Sequence, residues 1–195
     1  MIKTLKELYR QLSTLFCISS VCQECQFDDC KGYLWLLPEE AEDLYQRGVE
    51  ILEVNNHLSF INPFINNRPV DIEEFKPDCP LCQNRRCLIY RRRPLVCRMY
   101  PLNFAKKGDK FYLVLHLDCR FSQQQVKNPD FLKRVATLFG NISPELLEKI
   151  LDIYQKFDSI SKFPKGPNRY HPLFPLDTYP ARKGGMKSVK VQSCP

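Results

Sequence analysis

Leu5, Leu8, Leu12 and Leu15 recur at helical spacing with charged residues between them, so residues 2–16 read as an amphipathic helix. After a cysteine-bearing stretch from Cys17 to Cys30, the unbroken apolar run Tyr33-Leu34-Trp35-Leu36-Leu37 reads as a strand. Pro38-Glu39-Glu40 opens a short helix, because proline suits a first turn and carboxylates complement the positive end of the helix dipole, and Gly48 can end it. Val49, Ile51, Val54, Leu58, Phe60 and Ile61 flank the turn-like Asn55-Asn56, which predicts a hairpin within residues 49–65. A second cysteine-rich loop runs from Cys79 to Cys97. The Lys107-Gly108-Asp109 turn then leads into a buried strand from Phe111 to Leu117. Asn128-Pro129 and Ser143-Pro144 are cap-plus-proline signals that place helices at 129–139 and 144–157.

From Asp158 onward prolines accumulate and periodicity fades. The expected organisation is a cysteine-cluster metal-binding domain over residues 1–157 and a Pro-rich extension over 158–195, ending in a mobile basic tail with Arg182, Lys183, Lys187 and Lys190. Phe163, Tyr170, Phe174 and Tyr179, spaced among the prolines, read as aromatic residues docking back on the domain. The fold class that follows is α+β: a small, irregular, metal-stabilised domain with helices around short strands and two Cys-rich loops.

Composition narrows the picture. The 195 residues are 44% apolar, with thirteen Phe and nine Tyr, which suits a packed core and not a disordered chain. No run approaches the roughly 18 uninterrupted apolar residues of a membrane span. Lys3, Lys6, Glu7 and Arg10 interrupt the apolar run a secretory signal needs, so the expected location is cytoplasmic. The seven glycines form neither a GxGxxG fingerprint nor a P-loop, which disfavours a conventional nucleotide-binding enzyme. His57, His116 and His171 are far apart in sequence with no nucleophile signature beside them, and His116 reads as a structural residue of its strand.

Ten cysteines in a reducing compartment point away from disulfides, and their spacing points to metal. Cys22, Cys25 and Cys30 are spaced C-x2-C-x4-C, and Cys79, Cys82 and Cys87 repeat that spacing. A two-residue gap lets two sulfurs turn toward one ion while a third returns after a short loop, and thiolates suit soft metals. Cys97 and Cys119 bring the candidate donors to eight, enough for two four-thiolate sites or for one site with structural cysteines to spare. The cofactor classes this admits are zinc and an iron–sulfur cluster such as 4Fe-4S. Cys17, on the apolar side of the first helix, and Cys194, in the tail, stand outside the constellation.

Arg85, Arg86, Arg91, Arg92, Arg93, Arg98 and Arg120 crowd its second half, and the chain carries a net charge of +7. Guanidinium groups would offset the excess negative charge of a divalent ion bound by four thiolates. They would equally suit an anionic partner surface, or the phosphates of a nucleic acid.

Cys79-Pro80-Leu81, followed by Cys87-Leu88-Ile89-Tyr90-Arg91-Arg92-Arg93-Pro94-Leu95-Val96-Cys97-Arg98-Met99-Tyr100-Pro101, resembles the YkgJ-like CxxCxxCC cysteine-cluster family, described as a zinc- or iron-chelating domain. The resemblance covers roughly residues 17–120. It implies Cys22, Cys25, Cys30, Cys79, Cys87 and Cys97 as ligands, with Arg93-Pro94, Arg98 and Tyr100-Pro101 supporting the loop. The first cluster lacks the family's adjacent cysteine pair, and Cys82 stands where the family usually has an apolar residue; these departures leave the exact ligand set open, and Cys82 in place of the missing cysteine would keep the donor count unchanged. Pro94 holds Arg93 extended just before Cys97, and Pro101 repeats the device after Tyr100. Tyr90 and Tyr100 read as aromatic packing over the site. The family also includes the cysteine domain of flagellin lysine N-methylases, which implies a peptide- or protein-modifying enzyme as one alternative. A zinc-stabilised nucleic-acid-binding module is the other.

Overall fold

A computed structural model describes residues 1–16, 34–54, 58–61, 79–84, 86–160 and 170–176. Within them the chain is a mixed α+β protein of small antiparallel sheets and short helices, and it divides into two compact units.

The first unit contains Met1–Cys25, Pro101–Leu147 and Pro167–Pro195. Helix α1 (Leu5–Leu15) starts at Thr4, whose hydroxyl accepts the Glu7 N–H at 3.3 Å while the Glu7 carboxylate accepts the Lys3 and Thr4 N–H groups at 2.8 and 3.2 Å. This reciprocal cap satisfies donors the first turn would leave open. Leu8, Leu12 and Leu15 are buried, as their spacing predicts. Strands β6 (Leu102–Lys107) and β7 (Lys110–His116) form a hairpin turned by Gly108 at φ 61°. Strand β8 (Tyr170–Pro175) adds to the other side of β7, so Tyr170 and Phe174 do pack back, as edge-strand residues. Helices α4 (Arg120–Gln125) and α5 (Pro129–Phe139) follow, the latter capped by Asn128. Phe16, Phe121 and Phe131 meet ring to ring at 5.6–6.3 Å.

The second unit contains Gln26–Tyr100 and Glu148–Gly166. Its sheet has the order β1-β3-β2, all antiparallel, from β1 (Trp35–Leu36), β2 (Ile51–Val54) and β3 (Leu58–Ile61). Helix α2 (Pro38–Tyr45) packs on this sheet through Ala41 and Leu44, which join Leu36 and Ile61 in a buried cluster. Gly48, at φ 80°, turns the chain from α2 into β2. Helix α6 (Pro144–Ile160) begins in the first unit and continues in the second. There Tyr154 meets Trp35 edge to face at 6.5 Å, Phe157 meets Phe60 at 5.8 Å, and Lys149 pairs with Glu39 at 2.7 Å.

The segment 79–100, which the sequence presents as one loop, is almost fully structured. It holds a miniature hairpin of β4 (Cys82–Gln83) and β5 (Arg86–Cys87), a 3-10 turn at Tyr90–Arg92, and helix α3 (Leu95–Met99).

Candidate metal centre

The cysteine hairpin is built by two turns. In Cys79-Pro80-Leu81-Cys82 the Cys82 N–H donates to the Cys79 carbonyl oxygen at 2.9 Å, a β-turn with proline at the position whose φ it presets. The chain then pairs Cys82 with Cys87 and Gln83 with Arg86 across an antiparallel ladder. Asn84 supplies the reversal at φ 49°, a left-handed conformation that asparagine tolerates better than most residues. The Leu88 N–H closes the ladder on the Leu81 carbonyl oxygen at 2.9 Å.

Three cysteines lie along this hairpin. Cys79 is buried at 7% exposure, while Cys82 and Cys87 are half-buried. Burial pushes the Cys79 thiol above its ordinary pKa, and the charges of Cys87 and Cys82 push the same way, while hydrogen bonds from the Leu81 and Cys82 backbones favour its thiolate. Among the described residues, however, no set of three or more His, Cys, Asp or Glu side chains already surrounds a common point. In donor type the cluster fits a soft metal: three sulfurs, with backbone amides aimed at the innermost one.

Cys97 sits on α3, half-buried, and its helix is anchored from three directions. Leu95 is fully buried, and its N–H donates to Glu40 Oε1 at 2.5 Å. The other oxygen of the same carboxylate accepts the Leu37 N–H at 2.9 Å, capping α2. Arg98 donates from Nε to the Arg93 carbonyl and from Nη2 to the Arg91 carbonyl, both at 2.5 Å. Arg93 lies 3.9 Å over the Tyr90 ring and donates to the Tyr90 carbonyl oxygen at 3.1 Å. Leu81 and Ile89 pack on the cluster of Leu36, Ala41, Leu44 and Ile61, so the segment around the cysteine hairpin rests on the α2 and sheet core, while α3 is tied to α2 through the Leu95–Glu40 bond.

Of the eight expected donors, Cys79, Cys82 and Cys87 lie along one short hairpin, Cys82 opposed to Cys87, and Cys97 lies in the same unit. Cys119 is buried at the start of α4 in the first unit. Cys22, Cys25 and Cys30 lie outside the described residues, as do Cys17, His57, Arg85, Cys194 and the basic tail. His116 is buried with its Nε2 3.2 Å from Asp118 Oδ2 and its ring stacked on Tyr170 at 5.0 Å, a packed strand residue. Tyr90 is 46% exposed under the Arg93 guanidinium.

Glu40 is what the sequence reading missed. Helix-dipole complementarity describes Glu39 but not Glu40, buried at 7% with both oxygens engaged. The signal was present: Leu37, Glu40, Ala41 and Leu44 fall at helical spacing on the buried face.

Fold and cysteine geometry together define a small α+β protein carrying a thiol-rich hairpin on a helix-and-sheet scaffold. A family model, "CxxCxxCC: Putative zinc- or iron-chelating domain", matches residues 17–120, more than half the chain, and the protein belongs to that family. Its description supports metal binding in general terms. No curated protein and no solved structure matches the chain. Among the described residues no helix is long and apolar enough to cross a membrane.

Proposed function

We propose that this chain is a cysteine-ligated metal-binding protein of the cytoplasm. In this reading Cys79, Cys82 and Cys87 act as one donor group, completed by a thiolate from Cys97 or from the Cys22–Cys30 run. The observation that supports it is the Cys79–Cys82 turn leading into the opposed Cys82/Cys87 pair, so that three soft donors lie along one short hairpin. Burial and the neighbouring Cys87 and Cys82 hold the metal-free Cys79 toward its thiol form, so binding a metal there releases a proton and is favoured as pH rises. Glu40 and Arg98 hold α3 in place, so Cys97 is presented from a fixed helix and not from a loop.

Zinc and a 4Fe-4S cluster both suit such donors; zinc would supply structural order, and a cluster would add electron transfer. Anaerobic purification followed by metal analysis and an absorption spectrum tests the reading. Zinc or iron retained by the chain, reduced in Cys82→Ser and Cys87→Ser and kept in Cys194→Ser, is the expected result. Absence of both metals overturns it. A brown protein with broad visible absorption selects the cluster, and with it a redox, accessory or lysine N-methylase-like role. A colourless zinc protein selects a structural module, and steeply salt-dependent binding of RNA or DNA by that protein would make the nucleic-acid alternative the working one.

A further inference from the structure

Cys82 and Cys87 stand in a special relation that metal binding does not require. They are directly opposed across an antiparallel ladder. The Leu88 N–H bonds the Leu81 carbonyl oxygen, and the Cys82 N–H is turned away to the Cys79 carbonyl oxygen. Hydrogen-bonded pairs alternate along such a ladder, so Cys82/Cys87 occupies a non-hydrogen-bonded position, where opposed Cα atoms approach to about 4.5 Å and both side chains leave on the same face. That spacing falls inside the range of about 4.4–6.8 Å that a disulfide spans without backbone movement. Both thiols are half-buried, within reach of a small oxidant, whereas Cys79 is enclosed.

We propose that Cys82 and Cys87 form a reversible disulfide site whose oxidant is hydrogen peroxide. One thiolate attacks the peroxide, an S–O bond forms as the O–O bond breaks, and the first water leaves once its oxygen is protonated. The second thiolate then displaces the sulfenic oxygen as a second water, forming the S–S bond. Two thiols lose two electrons and two protons, and one peroxide becomes two waters. The hairpin changes little, because the bond joins atoms its register already opposes. The disulfide itself rests on the ladder alone. Its competition with metal rests on the function proposed above, since sulfurs joined to each other cannot both be thiolate donors.

The test uses the full chain, stripped of metal by a chelator under anaerobic conditions, then treated with stoichiometric hydrogen peroxide, alkylated and digested without reduction. Cleavage after Arg85, Arg86 and Arg91 frees the Cys87-containing segment from the one holding Cys79 and Cys82, and fragment spectra separate those two. The expected result is a Cys82–Cys87 link that forms ahead of other cysteine pairs, is undone by dithiothreitol, persists in Cys79→Ser and vanishes in Cys82→Ser. Linkage of Cys87 to Cys79 or to a distant cysteine, or a free Cys87 while other cysteines oxidise, overturns the proposal. Repeating the reaction with zinc present separates the two ideas. Linkage slowed by tenfold or more supports both, whereas linkage at an unchanged rate supports the disulfide site and counts against Cys82 and Cys87 as ligands.

Discussion

Glu40 shows how much one side chain can connect. Its carboxylate caps its own helix through Leu37 and receives the first amide of α3 through Leu95, with no exposed face to substitute water for either bond. Hydrogen bonds to a charged acceptor contribute about 1.5–3 kcal/mol each, and a buried amide left open costs about 1–3 kcal/mol. Glu40→Ala should therefore cost about 2–4 kcal/mol in urea unfolding, with Glu40→Gln losing less because one oxygen remains. An Ala variant within 0.5 kcal/mol of wild type, the usual spread of surface changes, would remove Glu40 from this role. Its neighbour Glu39 behaves differently. Burial raises the Glu39 pKa, but the Lys149 hydrogen bond and charge and a backbone amide outweigh it and hold the carboxyl below the ordinary 4.5. A lowered folded pKa contributes stability above the unfolded value, and that contribution fades as pH falls through the folded value. Lys149→Met should thus lower stability by at most about 1 kcal/mol at pH 7, as expected for an exposed pair. The urea midpoints of the two proteins should converge as pH falls well below 4.5.

At the scale of elements, two left-handed residues set the chain reversals that place the site. Gly48 ends α2 at φ 80°, and nothing lies within 4 Å of where a Cβ would stand, so Gly48→Ala carries a purely torsional cost of about 1 kcal/mol. Asn84 reverses the cysteine hairpin at φ 49°. Asn84→Val should cost about 1–2 kcal/mol and, unlike Gly48→Ala, also reduce retained metal, because the strain falls where Cys82 is opposed to Cys87. Equal metal content in the two variants would separate the hairpin register from binding. The capped helices α1, α5 and α6 and the β2–β3 hairpin were legible in the sequence, since each joins an apolar period to a local start or turn signal. The segment 79–100 was legible in chemistry but not in shape: its strands are two residues long and its helix five, too short for any period to register. Strand β6 was hidden by Lys106 and Lys107, and β8 by Pro172 and Pro175, which an edge position tolerates. The pairing of Cys82 with Cys87 follows from the tight turn at Asn84, whose left-handed backbone no spacing rule announces.

For the whole molecule, the division into two units gives metal removal a local signature. Cys79, Cys82, Cys87 and Cys97 belong to one unit, the hairpin packed on its core through Leu81 and Ile89 and the helix tied to α2 through the Leu95–Glu40 bond. A ligand bound only by the folded state stabilises by about 4 kcal/mol at a thousandfold excess over its Kd. For a chain of this size that corresponds to about 8–16 °C in Tm, at about 2–4 °C per kcal/mol. Chelation should lower Tm by that order, and in Cys82→Ser the chelator should have much less left to remove, because the variant has already lost the same interaction. Additive losses from variant and chelator would mean that Cys82 acts through packing and not through metal. Hydrogen exchange locates the effect. Chelation should speed exchange in β4, β5 and α3 while leaving the β6–β7 hairpin of the other unit protected. The same experiment decides the place of Cys119, buried at the start of α4 in that other unit, for which we expect no change. Faster exchange through Arg120–Gln125 on chelation would overturn that expectation and show that the helix Cys119 begins responds to metal.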